Sequence, residues 1–116
     1  MRAAIYLRLS KEDKQESIEN QRVLLRRYAN DHGFFIVKEY TDEAISGLTD
    51  MRPGFANMME DARKGHFDVI LAKNQSRFSR NFLHIEQYLH RELPHLNIRF
   101  IGVTDGVDTG KIDNIA

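Results

Sequence analysis

Phe67-Asp68-Val69-Ile70-Leu71-Ala72, followed by Lys73-Asn74-Gln75-Ser76-Arg77-Phe78-Ser79-Arg80, is the stretch on which the fold turns. Its first half is an apolar run broken only by Asp68, the pattern of a strand covered on both faces. Its second half is a polar connection. A helix from about Phe82 to Leu93 follows, with Phe82, Ile85, Tyr88 and Leu89 on one side and Pro94 as its stop.

The same alternation extends in both directions. Ala3 to Leu9 reads as a strand with Ala4, Tyr6 and Arg8 on one face and Ile5, Leu7 and Leu9 on the other. Ser10 to Glu16 contains no apolar residue. Ser17 then suits an N-cap, and Ile18, Gln21, Leu25 and Tyr28/Ala29 recur at helical spacing up to Gly33, a C′ residue. Phe34 to Val37 with Tyr40 is strand-like, and Thr41 to Arg52 is a loop hinged at Ser46-Gly47. Pro53 suits a first helical position, and Phe55, Met58, Met59 and Ala62 form the stripe of a helix ending at Gly65. Ile98 to Val103 is the last clear strand, and Thr104 to Ala116 is polar.

The series is β-α-β-α-β-α-β with short connections and no repeat or linker. It predicts one α/β domain over residues 1–116: three layers, α/β/α, around a mostly parallel sheet of four to five strands. In such sheets functional groups gather beyond the carboxyl ends of the strands. Here those loops are Ser10–Glu16, Thr41–Arg52, Lys73–Arg80 and Thr104–Gly110.

Composition excludes several classes. The 116 residues carry 17 Lys+Arg against 17 Asp+Glu, with no cysteine, so a disulfide scaffold and a Cys-ligated zinc site are ruled out. No apolar run approaches the ~18–20 residues of a bilayer span, and the quickly charged start is not a secretory signal. A net charge of zero removes the simplest argument for nucleic-acid binding, so the position of the charges has to carry it.

Arg8 ends the first strand, Arg52 closes the second loop, and Arg77 and Arg80 lie in the third. All four fall at one edge of the predicted sheet, and their planar donor forks suit phosphate oxygens. The same edge carries Ser10, Ser46, Ser76 and Ser79. A guanidinium-rich site can favour a serine alkoxide while binding an electrophilic phosphate. Ser10 stands out because the alternation that places Tyr6 and Arg8 on one face carries on to it. No glycine-rich phosphate cradle is present, and the five histidines include no metal-binding pair at i,i+4 with a carboxylate between them. Asp42, Glu43 and Asp50 could hold a metal or orient an arginine.

Tyr6-x-Arg8-x-Ser10, Ser17-x-x-x-Gln21, Asp42-x-x-x-Ser46-Gly47 leading to Arg52-Pro53, and Ser76-Arg77-x-x-Arg80 together resemble the catalytic domain of the serine recombinases. That family comprises resolvases, invertases and the large transposon and phage integrases, the last group being most similar, and the order and spacing hold over roughly residues 3 to 108. The resemblance implies a site-specific DNA recombinase in which Ser10 attacks the phosphodiester, giving a 5′-phosphoserine link and a free 3′-hydroxyl. It implies that Arg8, Arg52, Arg77 and Arg80 bind the phosphate and stabilise the transition state, supported by Tyr6, Gln21 and Asp42. No metal or other cofactor is implied. The implied partners are DNA and further copies of the chain, as a dimer and a synaptic tetramer in the full-length protein. The implied location is the bacterial cytoplasm, on the nucleoid when active.

Two departures stand out. Many members carry an acidic residue just before the first arginine of the third loop or two residues earlier, where this chain has Ser76 and Asn74. The family's long dimerisation helix and DNA-binding region would follow Ala116, so the chain is expected to be a catalytic domain truncated before both. The alternatives are a receiver-like signalling module with a phosphoaccepting aspartate, and an inactive phosphate-binding or oligomerisation domain.

Overall fold

The computed structural model describes residues 1–10, 13, 15–43, 52–79 and 81–110. Strand β1 (Arg2–Leu9) leads to helix α1 (Ile18–Asp31), β2 (Phe35–Glu43), α2 (Pro53–Arg63), β3 (Val69–Ala72) and the single turn α3 (Gln75–Phe78). Then α4 (Phe82–His84), a π-helical segment (Ile85–Glu92) and α5 (Leu93–His95) run on from one another, and β4 (Arg99–Gly102) and β5 (Val107–Asp108) close the domain. The sheet order is β2-β1-β3-β4-β5, parallel except for β5. This is the expected α/β class.

The side-chain alternation of the strands builds two cores. Ala3, Ile5 and Leu7 of β1 join Val69, Leu71 and Ile101 under Leu25 and Ala29 of α1. Ala4 and Tyr6 face the other way, with Ile70, Ala72 and Phe100, under Phe55, Met58, Met59 and Ala62 of α2 and Ile85, Leu89 and Leu93. Helices therefore cover both faces, and β3, buried at all four positions, is the two-face strand its composition predicts.

Helix boundaries follow local chemistry. The Ser17 hydroxyl accepts the Asn20 amide at 2.9 Å as the α1 cap. Pro53 opens α2, and Gly33 takes the positive φ of 74° past the end of α1.

Four elements differ from the sequence reading. Strand β2 runs on to Glu43, through the start of the loop expected from Thr41, and Gln75–Phe78 forms a helical turn inside the expected polar connection. The last long helix passes through Pro94 to His95, because its turns widen beforehand and the Leu93 amide donates to the carbonyl of Tyr88, five residues back. A wide turn accommodates a proline that can neither donate nor sit close to the carbonyl four residues earlier. The strand Val107–Asp108 lies in the polar tail, too short to leave a hydrophobic pattern.

Because α1 and α2 lie on opposite faces, the winding reverses at β1, which pairs with β2 on one side and β3 on the other. The carboxyl ends of β1 and β3 therefore flank a topological switch point, the usual place for a site in this architecture.

Candidate active site

Arg8, the penultimate residue of β1, is fixed first through its backbone. Its amide donates to Oε1 of Gln21 at 3.2 Å, and its carbonyl accepts from Nε2 of Gln21 at 2.8 Å. Gln21 is fully buried. Its side chain continues the hydrogen-bond ladder of β1 and ties the strand end to α1. The Arg8 guanidinium reaches across to the segment after β3, donating to the carbonyls of Arg77 at 2.9 Å and Ser76 at 2.6 Å.

Arg77 returns the contact, donating to the Arg8 carbonyl at 3.3 Å. Its principal partner is Asp13: Nη1 lies 2.6 Å from Oδ2 and Nη2 3.0 Å from Oδ1, a bidentate fork. The Ser10 hydroxyl and Ser10 amide both donate to Oδ2 of the same carboxylate, at 2.7 and 2.6 Å. The hydrogen bond from Arg77 holds the Asp13 carboxyl well below the usual carboxylate range, and Asp13 raises Arg77. The Nε of Arg77 is buried without an acceptor.

A second group stands behind this one. The Tyr6 hydroxyl donates to Oδ2 of Asp42 at 2.7 Å, and Asp42 also accepts the amides of Gly54 and Phe55, each at 2.8 Å. Asp42 thus caps α2, whose own N-cap residue, Arg52, makes no side-chain cap bond. Arg52 is left free to stack its guanidinium 4.0 Å from the centre of the Phe55 ring and to donate to the carbonyl of Phe78 at 2.5 Å and to the Tyr6 hydroxyl at 3.4 Å. Burial, opposed by Arg52, raises the Tyr6 phenol well above its ordinary value, so it remains a donor.

The structure thus brings together Tyr6, Arg8, Ser10, Gln21, Asp42, Arg52 and Arg77. Arg80, Ser46 and Asp50 lie outside the described residues. Ser76 and Ser79 make local contacts: the Ser76 hydroxyl donates to the side-chain Oδ1 of Asn74 at 2.8 Å, and the Ser79 hydroxyl accepts the Asn81 amide at 3.0 Å. Asn74 caps α3 by accepting the Arg77 amide at 3.0 Å. The loop after β4 buttresses this turn, with Asp105 accepting the Gln75 amide at 2.8 Å and Thr104 donating to the Lys73 carbonyl.

Sequence reasoning missed Asp13 and Glu16. The stretch from Ser10 has no apolar anchor, but Asp13 is anchored on Arg77 and Glu16 on Lys73 by ion pairs. A signal existed in the Ser10-x-x-Asp13 spacing, for the Asp13 amide donates to the Ser10 carbonyl in a turn. The receiver alternative fails on Asp42, whose two oxygens are consumed by Tyr6 and the start of α2. Among the described residues no group of three or more His, Asp or Glu side chains could hold a metal ion.

The doubly wound sheet thus brings serine and arginine side chains together at its switch point, where sites of this architecture lie. Solved structures carry the same fold. The N-terminal catalytic domain of TP901-1 integrase is 27% identical, with a TM-score of 0.81 over 99% of this chain and 86% of that one. A resolvase family site-specific recombinase from Streptococcus pneumoniae is 28% identical, with a TM-score of 0.85 over 99% and 80%. The C-terminal catalytic domain of ISC1926 TnpA, an IS607-like serine recombinase, is 28% identical, with a TM-score of 0.76 over 91% and 72%. The family model described as resolvase, N-terminal domain, matches residues 3–114, and the chain belongs to that family: it is the catalytic domain of a site-specific recombinase, an enzyme of DNA strand breakage and rejoining.

Proposed function

We propose that Ser10 is the nucleophile of this recombinase domain and that Arg8, Arg52 and Arg77, with Arg80, form its phosphate site. The observation that carries the reading is the meeting of the Ser10 hydroxyl and the Arg77 fork on a single anion, the Asp13 carboxylate. In the reaction the Ser10 oxygen forms a bond to the phosphorus of a DNA phosphodiester and the bond to the 3′-oxygen breaks. Ser10 gives up its hydroxyl proton as it bonds to phosphorus and the departing 3′-oxygen takes one up, so the products are a 5′-phosphoserine link and a free 3′-hydroxyl with no net change in protons. Reversal with a new 3′-hydroxyl rejoins the strand.

The guanidinium groups oppose the charge that gathers on the phosphoryl oxygens in the transition state. Gln21 fixes the end of the strand that carries Arg8. Tyr6 and Asp42 hold the start of α2 beside Arg52. The partners in this reading are DNA and further copies of the chain, since a crossover requires the cleavage of several strands in one complex, and the setting is the bacterial cytoplasm.

The test is a quenched cleavage reaction on a cognate site by the recombinase that carries this domain, with the protein–DNA adduct mapped by mass spectrometry. The adduct is expected on Ser10, and Ser10→Ala should bind DNA and not cleave it. An adduct on Ser76 or Ser79, or undiminished cleavage by Ser10→Ala, overturns the reading.

A further inference from the structure

Four donors from two distant parts of the chain converge on Asp13: the Ser10 amide, the Ser10 hydroxyl and the two terminal nitrogens of Arg77. Such a set recognises a monoanion that offers two oxygens sharing one charge. A carboxylate fits that description, and so does a phosphodiester with its two non-bridging oxygens. Exchange of one for the other leaves the charge of the site unchanged, and the donors that hold Asp13 are the groups the proposed reaction brings to the scissile phosphate.

Among the described residues, the other arginines of the cluster also donate to groups of the domain itself. Arg8 lies on the carbonyls of Ser76 and Arg77, and Arg52 on that of Phe78. Among the described residues one buried side-chain donor lacks an acceptor, the Nε of Arg77. An unpaired buried donor of this kind marks an arrangement that a different ligand could satisfy better. The third loop supplies no carboxylate of its own, since positions 74 and 76 are Asn and Ser, and among the described residues Asp13 is the only carboxylate hydrogen-bonded to Arg77.

We propose that Asp13 is a positioning residue that occupies the seat of the scissile phosphate in the resting domain, holding Ser10 and Arg77 together until a DNA phosphate displaces it. The proposal rests on the assignment of Ser10 and Arg77 to the phosphate site. Asp13 is three residues from Ser10, and this tether gives it a high effective concentration that a free anion must exceed. A carboxylate held so firmly as the anion is a poor proton acceptor, which favours a seat-holding role over that of a general base. Displacement frees the Ser10 hydroxyl and opens the Arg77 fork in one event, so that the nucleophile is released where a phosphate has arrived.

The experiment titrates the 116-residue chain with inorganic phosphate, reading the Ser10 amide, the Arg77 Nε–H and the Asp13 side-chain carboxyl carbon by NMR. In the wild type, the Asp13 carbon should move with the same midpoint as Ser10 and Arg77. Asp13→Asn and Asp13→Ala, checked for native amide dispersion, should bind phosphate at Ser10 and Arg77 at least tenfold more tightly, and phosphate should raise their thermal midpoints more than that of the wild type. A response of Ser10 and Arg77 with Asp13 unmoved overturns the proposal, a reading that requires no variant to fold. Folded variants no tighter than the wild type, or with binding mapped to other basic residues, overturn it as well. Failure of the nucleophile assignment is read separately, by an adduct on another serine.

Discussion

Tyr6 and Asp42, on adjacent parallel strands, share a hydrogen bond of 2.7 Å that couples the middle of β1 to the start of α2. Asp42 lies two positions beyond Tyr40, the register partner of Tyr6. Its carboxylate also takes the amides of Gly54 and Phe55. Asp42→Ala leaves three donors without their acceptor at a buried site, and an expected loss of about 2–4 kcal/mol follows from the cost of unsatisfied groups. Tyr6→Phe removes a single hydroxyl and should cost about 1–2 kcal/mol. Urea denaturation measures both, and equal losses would contradict the capping role.

Gly54 tests the close approach of α2 to β2. A Cβ at this position would stand 2.6 Å from the Thr41 carbonyl oxygen and 3.1 Å from the Asp42 carboxylate. The obstacle is backbone, so the helix start has to move. Gly54→Ala should destabilise the domain by about 1–3 kcal/mol and perturb the Tyr6 ring signals in NMR spectra. An unchanged denaturation midpoint would refute the strain argument.

At position 74 the Asn side chain caps α3. Asn74→Asp keeps the acceptor and adds a charge that a helix start favours, so stability should hold or rise slightly. Asn74→Ala should lose about 1 kcal/mol. Thermal melts of the two variants, compared at low salt, check this order.

Acid should weaken the fold in a definite window. Arg77 depresses Asp13, the Tyr40 hydroxyl depresses Asp61, and Arg2 depresses Asp68. Each folded-state pKa lies below the unfolded value of about 3.9. The stability these groups contribute is therefore complete well above that value and is lost as pH falls through it toward the folded pKa. Thermal midpoints should be flat with respect to these groups between about pH 7 and 5 and should drop below about pH 4. Asp61→Asn should flatten part of the drop, and a midpoint that rises on acidification would contradict the assignment.

The depth of agreement between sequence and structure varies with the range of the interaction. Gly33 and Pro53 marked helix ends correctly because a positive φ and a missing amide are properties of single residues. Gln21 was legible both as part of the helical stripe and as a supporting residue, and it is buried against the end of β1. Asp13 was passed over in a polar stretch because its decisive partner, Arg77, is 64 positions away. The π-helical turn before Pro94 was equally hidden, since a proline predicts a stop and only packing of Leu93 into the core carries the helix past it.

By itself the sequence determined the alternation of strands and helices, their two-faced burial and the edge of the sheet where serine and arginine residues gather. These follow from side-chain periodicity, which the covalent geometry of strand and helix imposes locally. Tertiary structure decided which acid meets which donor: Asp42 with Tyr6 and the start of a helix to which it does not belong, Asp13 with Ser10 and Arg77. The physical reason is that a carboxylate's partner is set by which strand ends the sheet order brings side by side, and no local pattern in the chain records the placement of β1 between β2 and β3.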